Sequence, residues 1–145
     1  MGYEVDFIGV GADKSTKNAD AICLRWKKET TIYGTQLYEV GVVDGGFEVH
    51  GDAMTDHMNQ YYFDDKNEKK SKTKKVVDFM VVTHPDKDHT SGLKKILDNF
   101  TVKKIYMYRP WLYVDELFDK VDDGRITKDS LYQRLICNDL CQEAT

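Results

Sequence analysis

The sequence of 145 residues lacks several features that would assign it to a specialised class of protein. No stretch approaches the roughly 20 apolar residues that a membrane-spanning helix requires, so we expect no membrane segment. The opening residues, MGYEVDFIGVG, have no basic start and no long apolar core, so we expect no signal peptide. The net charge is only −4, which gives no general attraction to nucleic acid or to anionic membranes.

Cysteine is also scarce, and the three examples are Cys23, Cys137 and Cys141. An odd number offers no paired framework, and the last two are spaced to share one helix face. We therefore interpret all three as free thiols rather than as a disulfide or a zinc pair. This usage fits a reducing compartment, and we expect a cytoplasmic protein.

What is present is an ordinary globular composition, 41% apolar and 32% charged, in a length that fits one domain over residues 1–145. Alternating apolar residues predict strands over residues 3–11, 19–27, 37–46, 76–83 and 102–110. Helical spacing predicts helices over residues 50–63, 93–100 and 111–121. A last helix is predicted through Leu131, Leu135 and Leu140, with Thr127 as its N-cap. This order predicts an α/β fold in which helices cover a sheet, and the hairpin-like connections between the first strands predict an antiparallel or mixed sheet.

Four potential metal ligands are crowded into the six residues that follow the fourth strand: His84, Asp86, Asp88 and His89. Imidazole nitrogen and carboxylate oxygen both bind Zn²⁺ at about 2.0–2.2 Å. A tight turn can direct alternate residues toward one point and the adjacent Asp88 and His89 toward a neighbouring point. Four ligands on so short a turn suit two metal ions better than one, and such a pair activates water for hydrolysis.

The alternative interpretation is an exposed polar turn, because Pro85 and Asp86 are good turn formers. The context favours the metal site. The four side chains come directly after an apolar strand and directly before a helix, which is the setting that a metal-binding loop needs.

These residues resemble the signature of the metallo-β-lactamase fold, His-x-His-x-Asp-His, which reads here His84-Pro85-Asp86-Lys87-Asp88-His89. The form with Asp86, preceded by a small hydroxyl residue, is similar to the branch that includes the hydrolase domain of bacterial DNA-uptake (competence) channel proteins. The segments NADAICLRW and VGVVDGG also resemble the second and third strands of that branch, with Asp20 and Asp44 at its acidic positions. The resemblance covers about residues 3–108.

The resemblance implies a dinuclear metal-dependent hydrolase. His84 and Asp86 would ligate the first ion, and Asp88 and His89 the second, with Asp88 as the catalytic residue. Asp44 would lie behind them and orient a ligand or the turn. The ions would be Zn²⁺ or Mn²⁺, and Asp86 in place of a histidine shifts the preference toward Mn²⁺ or Mg²⁺.

The resemblance also implies ligands that this sequence does not contain. The family has a four-layer αββα sandwich of two halves, and the second half donates another His, a bridging Asp and a last His. The four histidines here are His50, His57, His84 and His89, so none follows residue 89. We interpret His50 and His57 as surface or partly packed residues, because a lone helical histidine usually has no metal role. We therefore expect the N-terminal half of a larger fold, as a fragment of a longer chain, with weak or partial metal occupancy.

Two hypotheses follow. In the first, the complete protein is a phosphodiesterase or nuclease acting on nucleic acid or a nucleotide, and its partner is the C-terminal half of the fold, on the same chain or a separate subunit. In the second, this half-fold is catalytically inactive and acts as a binding or self-association module. Its helix-free sheet face would be apolar and bare, so we expect a homo-oligomer of this half.

A basic run before the fourth strand contains Lys69, Lys70, Lys72, Lys74 and Lys75. One interpretation of this run is a nucleic-acid contact. A solvated loop is the favoured interpretation, because no aromatic residues are interleaved with the lysines.

Overall fold

A computed structural model describes residues 2–9, 19–32, 34, 36–63, 75–121 and 124–136. The chain forms two compact units, Met1–Met107 and Tyr108–Thr145. Four predictions fall wholly or partly outside the described residues: the free thiols of Cys137 and Cys141, the end of the first strand at residues 10–11, the contribution of Leu140 to the last helix, and the conformation of the lysine run before Lys75.

The first unit is built on seven strands within the described residues: β1 (Tyr3–Phe7), β2 (Ala21–Thr30), β3 (Gln36–Gly45), β4 (Val76–Val77), β5 (Phe79–Val82), β6 (Thr101–Val102) and β7 (Ile105–Met107). Five of them form one sheet in the order β1-β2-β3-β5-β7. β1, β2 and β3 are antiparallel neighbours, whereas β5 is parallel to β3 and β7 is parallel to β5. The predicted α/β class with a mixed sheet is confirmed.

The strand predicted over residues 76–83 is instead two strands, because Asp78 interrupts it. The Asp78 carboxylate accepts a hydrogen bond from the Val40 N–H at 2.9 Å, and Lys103 Nζ lies 2.6 Å from its other oxygen. β4 then leaves the main sheet and pairs in parallel with β6. The predicted strand over residues 102–110 divides into β6 and β7 in the same way. The apolar pattern missed the break at Asp78 because Val77, Met80 and Val82 on its two sides are all buried.

Five α-helices lie in the described residues: α1 (Glu48–His57), α2 (Lys87–Thr90), α3 (Leu93–Asn99), α4 (Val114–Val121) and α5 (Lys128–Leu135). The predicted helix over residues 50–63 corresponds to α1 and a π-helical turn, Met58–Tyr62, closed by a hydrogen bond from the Phe63 N–H to the Met58 carbonyl. The predicted turn over residues 84–89 is partly helical, because the Asp86 carbonyl accepts hydrogen bonds from the His89 and Thr90 N–H groups and so begins α2.

The core of the first unit lies between α1, α3 and one face of the five-stranded sheet. Met54, Met58, Leu93 and Ile96 have no exposed surface, and the same holds for sheet residues of alternate positions, including Cys23, Val42 and Met80. Side chains alternate across a strand, so these residues define the helix-covered face. Cys23 is a buried free thiol, as predicted.

The other face of the sheet is largely apolar, and within the described residues several of its side chains are exposed. The register places these apolar residues on it: Tyr3, Val5 and Phe7 on β1, Ile22, Leu24 and Trp26 on β2, Val43 on β3, Phe79 and Val81 on β5, and Tyr106 on β7. Gly41 and the charged Glu39 of β3 lie on the same face, and Glu39 forms an ion pair of 3.1 Å with Lys28. Tyr3 and Phe7 are 82% and 70% exposed. We call this set the open face.

An aromatic row crosses the open face. The Trp26 and Phe79 ring centroids are 5.6 Å apart, and those of Phe79 and Tyr106 are 6.5 Å apart. The row depends on Gly41 between them, because a Cβ at that position would overlap the Phe79 ring. Without a side chain at Gly41, the ring of Phe79 can lie flat across β3.

The second unit contains a 3₁₀ turn, Pro110–Tyr113, followed by α4 and α5. The predicted N-cap of the last helix is confirmed. Thr127 Oγ1 accepts a hydrogen bond from the Ser130 N–H at 3.1 Å, and Ser130 Oγ accepts one from the Thr127 N–H at 2.9 Å. Lys128 at the start of α5 forms an ion pair of 2.7 Å with Asp115 of α4.

Candidate metal centre

The candidate site forms at the carboxyl ends of β3 and β5. These strands are parallel neighbours, with Val43 opposite Val81, so the residues that follow them meet at one edge of the sheet. Asp44 at the end of β3 therefore lies beside Thr83, and the turn after β5 begins there. Ligand sites in sheets with parallel strands commonly lie outside this end.

Close approaches between glycines let the segment after the turn pack tightly on β3 and α1. A Cβ at Gly92 would overlap the Gly45 carbonyl oxygen, and a Cβ at Gly51 of α1 would lie 2.7 Å from the Gly92 Cα. The Gly92 N–H also donates a hydrogen bond of 3.0 Å to the Gly46 carbonyl. The segment between α2 and α3 is thus held against both β3 and α1, which fixes the position of α2.

Asp44 is the centre of the hydrogen-bond network. It is 3% exposed and adopts a left-handed backbone conformation with φ +52°, which is uncommon for a residue with a side chain. One carboxylate oxygen accepts a hydrogen bond from the Thr83 N–H at 2.9 Å. The other accepts from the Thr83 hydroxyl at 2.5 Å and lies 2.9 Å from His89 Nδ1. One buried carboxylate therefore holds both the start of the turn and an imidazole within α2.

The two histidines of the turn lie against each other, with ring centroids 3.6 Å apart. The His89 side chain is 11% exposed and that of His84 is 46% exposed. His84 Nδ1 lies 3.0 Å from the Thr83 hydroxyl oxygen, whereas His89 Nδ1 faces Asp44 directly. The resemblance implies that Asp44 orients a ligand or the turn, and in the structure Asp44 contacts Thr83 before the turn and His89 within it.

Each of the two rings also has an aspartate carboxylate near its Nε2 atom. His84 Nε2 is 3.8 Å from Asp86 Oδ2, and His89 Nε2 is 3.9 Å from Asp88 Oδ2. Asp20, which precedes β2, lies 4.0 Å from His89 Nδ1. Four carboxylates around two imidazoles make this edge of the sheet strongly anionic, which attracts cations.

These separations fit two half-sites for divalent metal. Two ligands each about 2.1 Å from a tetrahedral ion lie about 3.4 Å apart, so each His–Asp pair would need to close by only a few tenths of an ångström. Across the part of the chain that the structure describes, no three His, Cys, Asp or Glu side chains converge to hold an ion. Each His–Asp pair thus supplies two ligands for a metal ion, and the remaining ligands would have to come from outside the described residues.

The other histidines make protein contacts. His50 is 7% exposed, and its Nδ1 accepts a hydrogen bond from the Phe47 N–H at 3.0 Å. His57 Nε2 lies 3.0 Å from Asp6 Oδ2 on β1, and the same oxygen accepts a hydrogen bond from the Tyr62 hydroxyl at 2.6 Å. His50 is more deeply buried than the predicted surface or partly packed position, whereas His57 is partly packed.

Sequence reasoning assigned no hydrogen bond to Thr83 and missed the glycine contacts. The small hydroxyl before His84 was part of the resemblance, but its bond to Asp44 depends on the parallel pairing of β3 and β5. The contacts of Gly51 and Gly92 join residues 41 positions apart. No local pattern in the sequence encodes such a contact.

No protein-family model matches this chain, and no curated protein sequence does. Within the described ranges, every helix is too short or too polar to cross a membrane.

Proposed function

We propose that this chain supplies one half of a dinuclear metal-dependent hydrolase of the metallo-β-lactamase type. The observation that carries the proposal is the arrangement of His84, Asp86, Asp88 and His89 as two His–Asp pairs beside a buried carboxylate, Asp44. A polar turn with only a structural role would not need two imidazoles in contact above a buried aspartate.

In this proposal His84 and Asp86 hold one ion, and Asp88 and His89 hold the other. Two divalent ions, Zn²⁺ or Mn²⁺, would lower the pKa of water and offset negative charge on the reacting group. Asp44 orients His89 by accepting a hydrogen bond from its Nδ1–H, which leaves Nε2 facing the Asp88 carboxylate. Asp86 keeps the first pair anionic and favours the harder ion, Mn²⁺.

The open face supports a second sheet as the partner. Five strands about 4.8 Å apart and about five residues long give a footprint of about 400 Å². The largest apolar patch on a typical monomer covers about 300–600 Å² and is often functional. The partner sheet, on the same chain or on a separate subunit, would pack on the open face and bring the missing His, Asp and His ligands to its edge.

The substrate class follows from the chemistry of the site. A pair of cations held by exposed Asp86 and Asp88 presents positive charge to an anionic substrate. A phosphodiester, in nucleic acid or in a nucleotide, has the charge and the in-line geometry that two adjacent ions stabilise. We therefore propose phosphodiesterase or nuclease activity for the completed protein.

The test is hydrolysis of bis-p-nitrophenyl phosphate with added Mn²⁺ by the chain completed with its second sheet. Asp88→Ala should lower the rate by about a hundredfold or more, because it removes half of one pair. Lys87→Ala is the matched control: Lys87 is exposed and adjacent in α2, and its removal should leave the rate near that of the parent. Near-parental activity in Asp88→Ala together with lost activity in Lys87→Ala would make the dinuclear assignment wrong.

A second candidate function is a binding module without catalysis, and the open face favours it. In that case the face binds another chain and the turn has no metal. Metal content separates the two candidates, because a working site in the completed protein retains stoichiometric metal after dialysis and an inactive half-fold does not.

A further inference from the structure

We infer that Thr83 is a positioning residue that couples His84 to Asp44, so that one buried carboxylate sets the tautomer of both histidines in the turn. The geometry concerns this chain's own residues and needs no bound metal. Its relevance to metal binding rests on the proposed function above.

The proton arrangement follows from the donors and acceptors available. The Asp44 carboxylate can only accept hydrogen bonds. Thr83 Oγ1 lies 2.5 Å from it, so the single hydroxyl proton of Thr83 points to Asp44. The Thr83 oxygen is then left with lone pairs only. His84 Nδ1, 3.0 Å away, must be the donor in that contact, which assigns the His84 ring proton to Nδ1.

His89 also carries its ring proton on Nδ1, but it contacts Asp44 directly rather than through Thr83. Its Nδ1 lies 2.9 Å from Asp44 Oδ2, and that oxygen can only accept a hydrogen bond. In the neutral form, each ring therefore keeps a lone pair on Nε2, the atom that lies nearest to the Asp86 or Asp88 carboxylate. The tautomer of a histidine is commonly set by the hydrogen bond at its other nitrogen, and this arrangement does so twice from one carboxylate.

Substitutions of Asp44 and of Thr83 should have different effects on the two histidine rings. Asp44→Asn should change the tautomer of both rings, because the shared acceptor is altered. Thr83→Val should change only His84, because His89 contacts Asp44 directly, and valine preserves the shape of the side chain. Thr83→Ser keeps the hydroxyl and should preserve the parental state of both rings.

The experiment is ¹⁵N nuclear magnetic resonance of the imidazole nitrogens in the metal-free chain, at a pH at which the spectra show both rings neutral. The chemical shift of each ring nitrogen reports whether it carries a proton. We expect protonated Nδ1 in both His84 and His89, a shift of His84 toward protonated Nε2 in Thr83→Val, and a parental spectrum in Thr83→Ser. Protonated Nε2 in His84 of the parent, or a Thr83→Val spectrum identical to the parent, would overturn the inference.

A second measurement separates this inference from the proposed function. In Mn²⁺ titrations, Thr83→Val should weaken binding about 10–100-fold, and Thr83→Ser should restore it. If the parental tautomers are as expected but the chain binds no Mn²⁺ at the turn, the proposed function fails and the tautomer coupling stands. If the tautomers differ from expectation while Mn²⁺ binds, the coupling through Thr83 is wrong and the metal site stands.

Discussion

At the residue scale, the absence of a side chain at Gly92 allows the turn over residues 84–89, with the candidate ligands, to lie close to the sheet. Gly92→Ala places a methyl group against the Gly45 carbonyl oxygen, which belongs to backbone and cannot rotate away. We expect it to lower the free energy of unfolding by about 1–3 kcal/mol, as overpacking usually does. Gly2→Ala is the matched control, because a Cβ there meets no atom within 4 Å. Urea unfolding measures both, and equal stability of the two variants would contradict the packing described.

A second residue-scale prediction concerns Cys23. Burial, assisted by the negative charge of Asp6, raises the pKa of Cys23 from its ordinary value of 9.0 to about 12. Between these values the unfolded chain has lost the thiol proton and the folded chain has kept it. Stability from this group is therefore full below pH 9 and is lost as the pH rises toward 12, by up to about 1.4 kcal/mol per pH unit.

The measurement is the difference in free energy of unfolding between the parent and Cys23→Ala as the pH rises above 9. Other titrating groups are common to both proteins, so they cancel. The advantage of the parent should shrink steadily with pH. A difference that is independent of pH would show that the Cys23 thiol ionises equally in the folded and unfolded chains.

At the element scale, Asp6 connects the edge strand β1 to two helical segments. Its carboxylate contacts His57 of α1 and Tyr62 of the π-helical turn. Burial alone would raise the pKa of Asp6, but hydrogen bonds from Tyr62 and His57 and the positive charge of Arg25 together lower it. Tyr62→Phe should cost about 1–2 kcal/mol, near the low end for a hydrogen bond to a charged group, because Asp6 is partly exposed.

The pH dependence of this contact checks its origin. Because the folded pKa of Asp6 is lowered, the stabilisation is present above the ordinary carboxyl pKa and is lost as the pH falls through the lowered value. The stability difference between the parent and Tyr62→Phe should therefore be largest near neutral pH and shrink in acid. Tyr61→Phe, which removes a hydroxyl from the neighbouring exposed ring, should have little effect at any pH.

The elements also show which structural information was local in the sequence. Thr127 and Ser130 cap α5 through contacts three residues apart, and the sequence predicted that cap. Asp78 broke a predicted strand through a bond to Val40, 38 residues away, which no periodicity reveals. The candidate site divides in the same way. Its four candidate ligands were visible as a motif, whereas the Thr83–Asp44 bond and the glycine contacts required the parallel pairing of β3 and β5.

At the scale of the whole molecule, the open face should make this chain self-associate when no partner sheet is present. Val5→Lys places a charge in the middle of the β1 contribution to that face, where Val5 is 49% exposed. It should weaken association at least about tenfold, equivalent to about 1.4 kcal/mol. Val49→Lys on α1 is the matched control, because Val49 is 63% exposed but lies outside the open face. Light scattering over a dilution series measures both, and a parent that stays monomeric when concentrated would contradict the prediction.

The most direct test of the central claim is a Mn²⁺ titration of this chain followed by nuclear magnetic resonance, because the paramagnetic ion broadens signals only near its binding site. Two ligands per ion predict weak binding. The account predicts that broadening begins at Asp44 and the turn over residues 83–90. Asp88→Ala should abolish the broadening that arises from an ion at the Asp88–His89 pair, whereas Lys87→Ala should leave the broadening unchanged. Broadening centred on the acidic surface of α1 near Glu48 and Asp52, or an Asp88→Ala titration that matches the parent, would contradict the claim that this turn is a metal site.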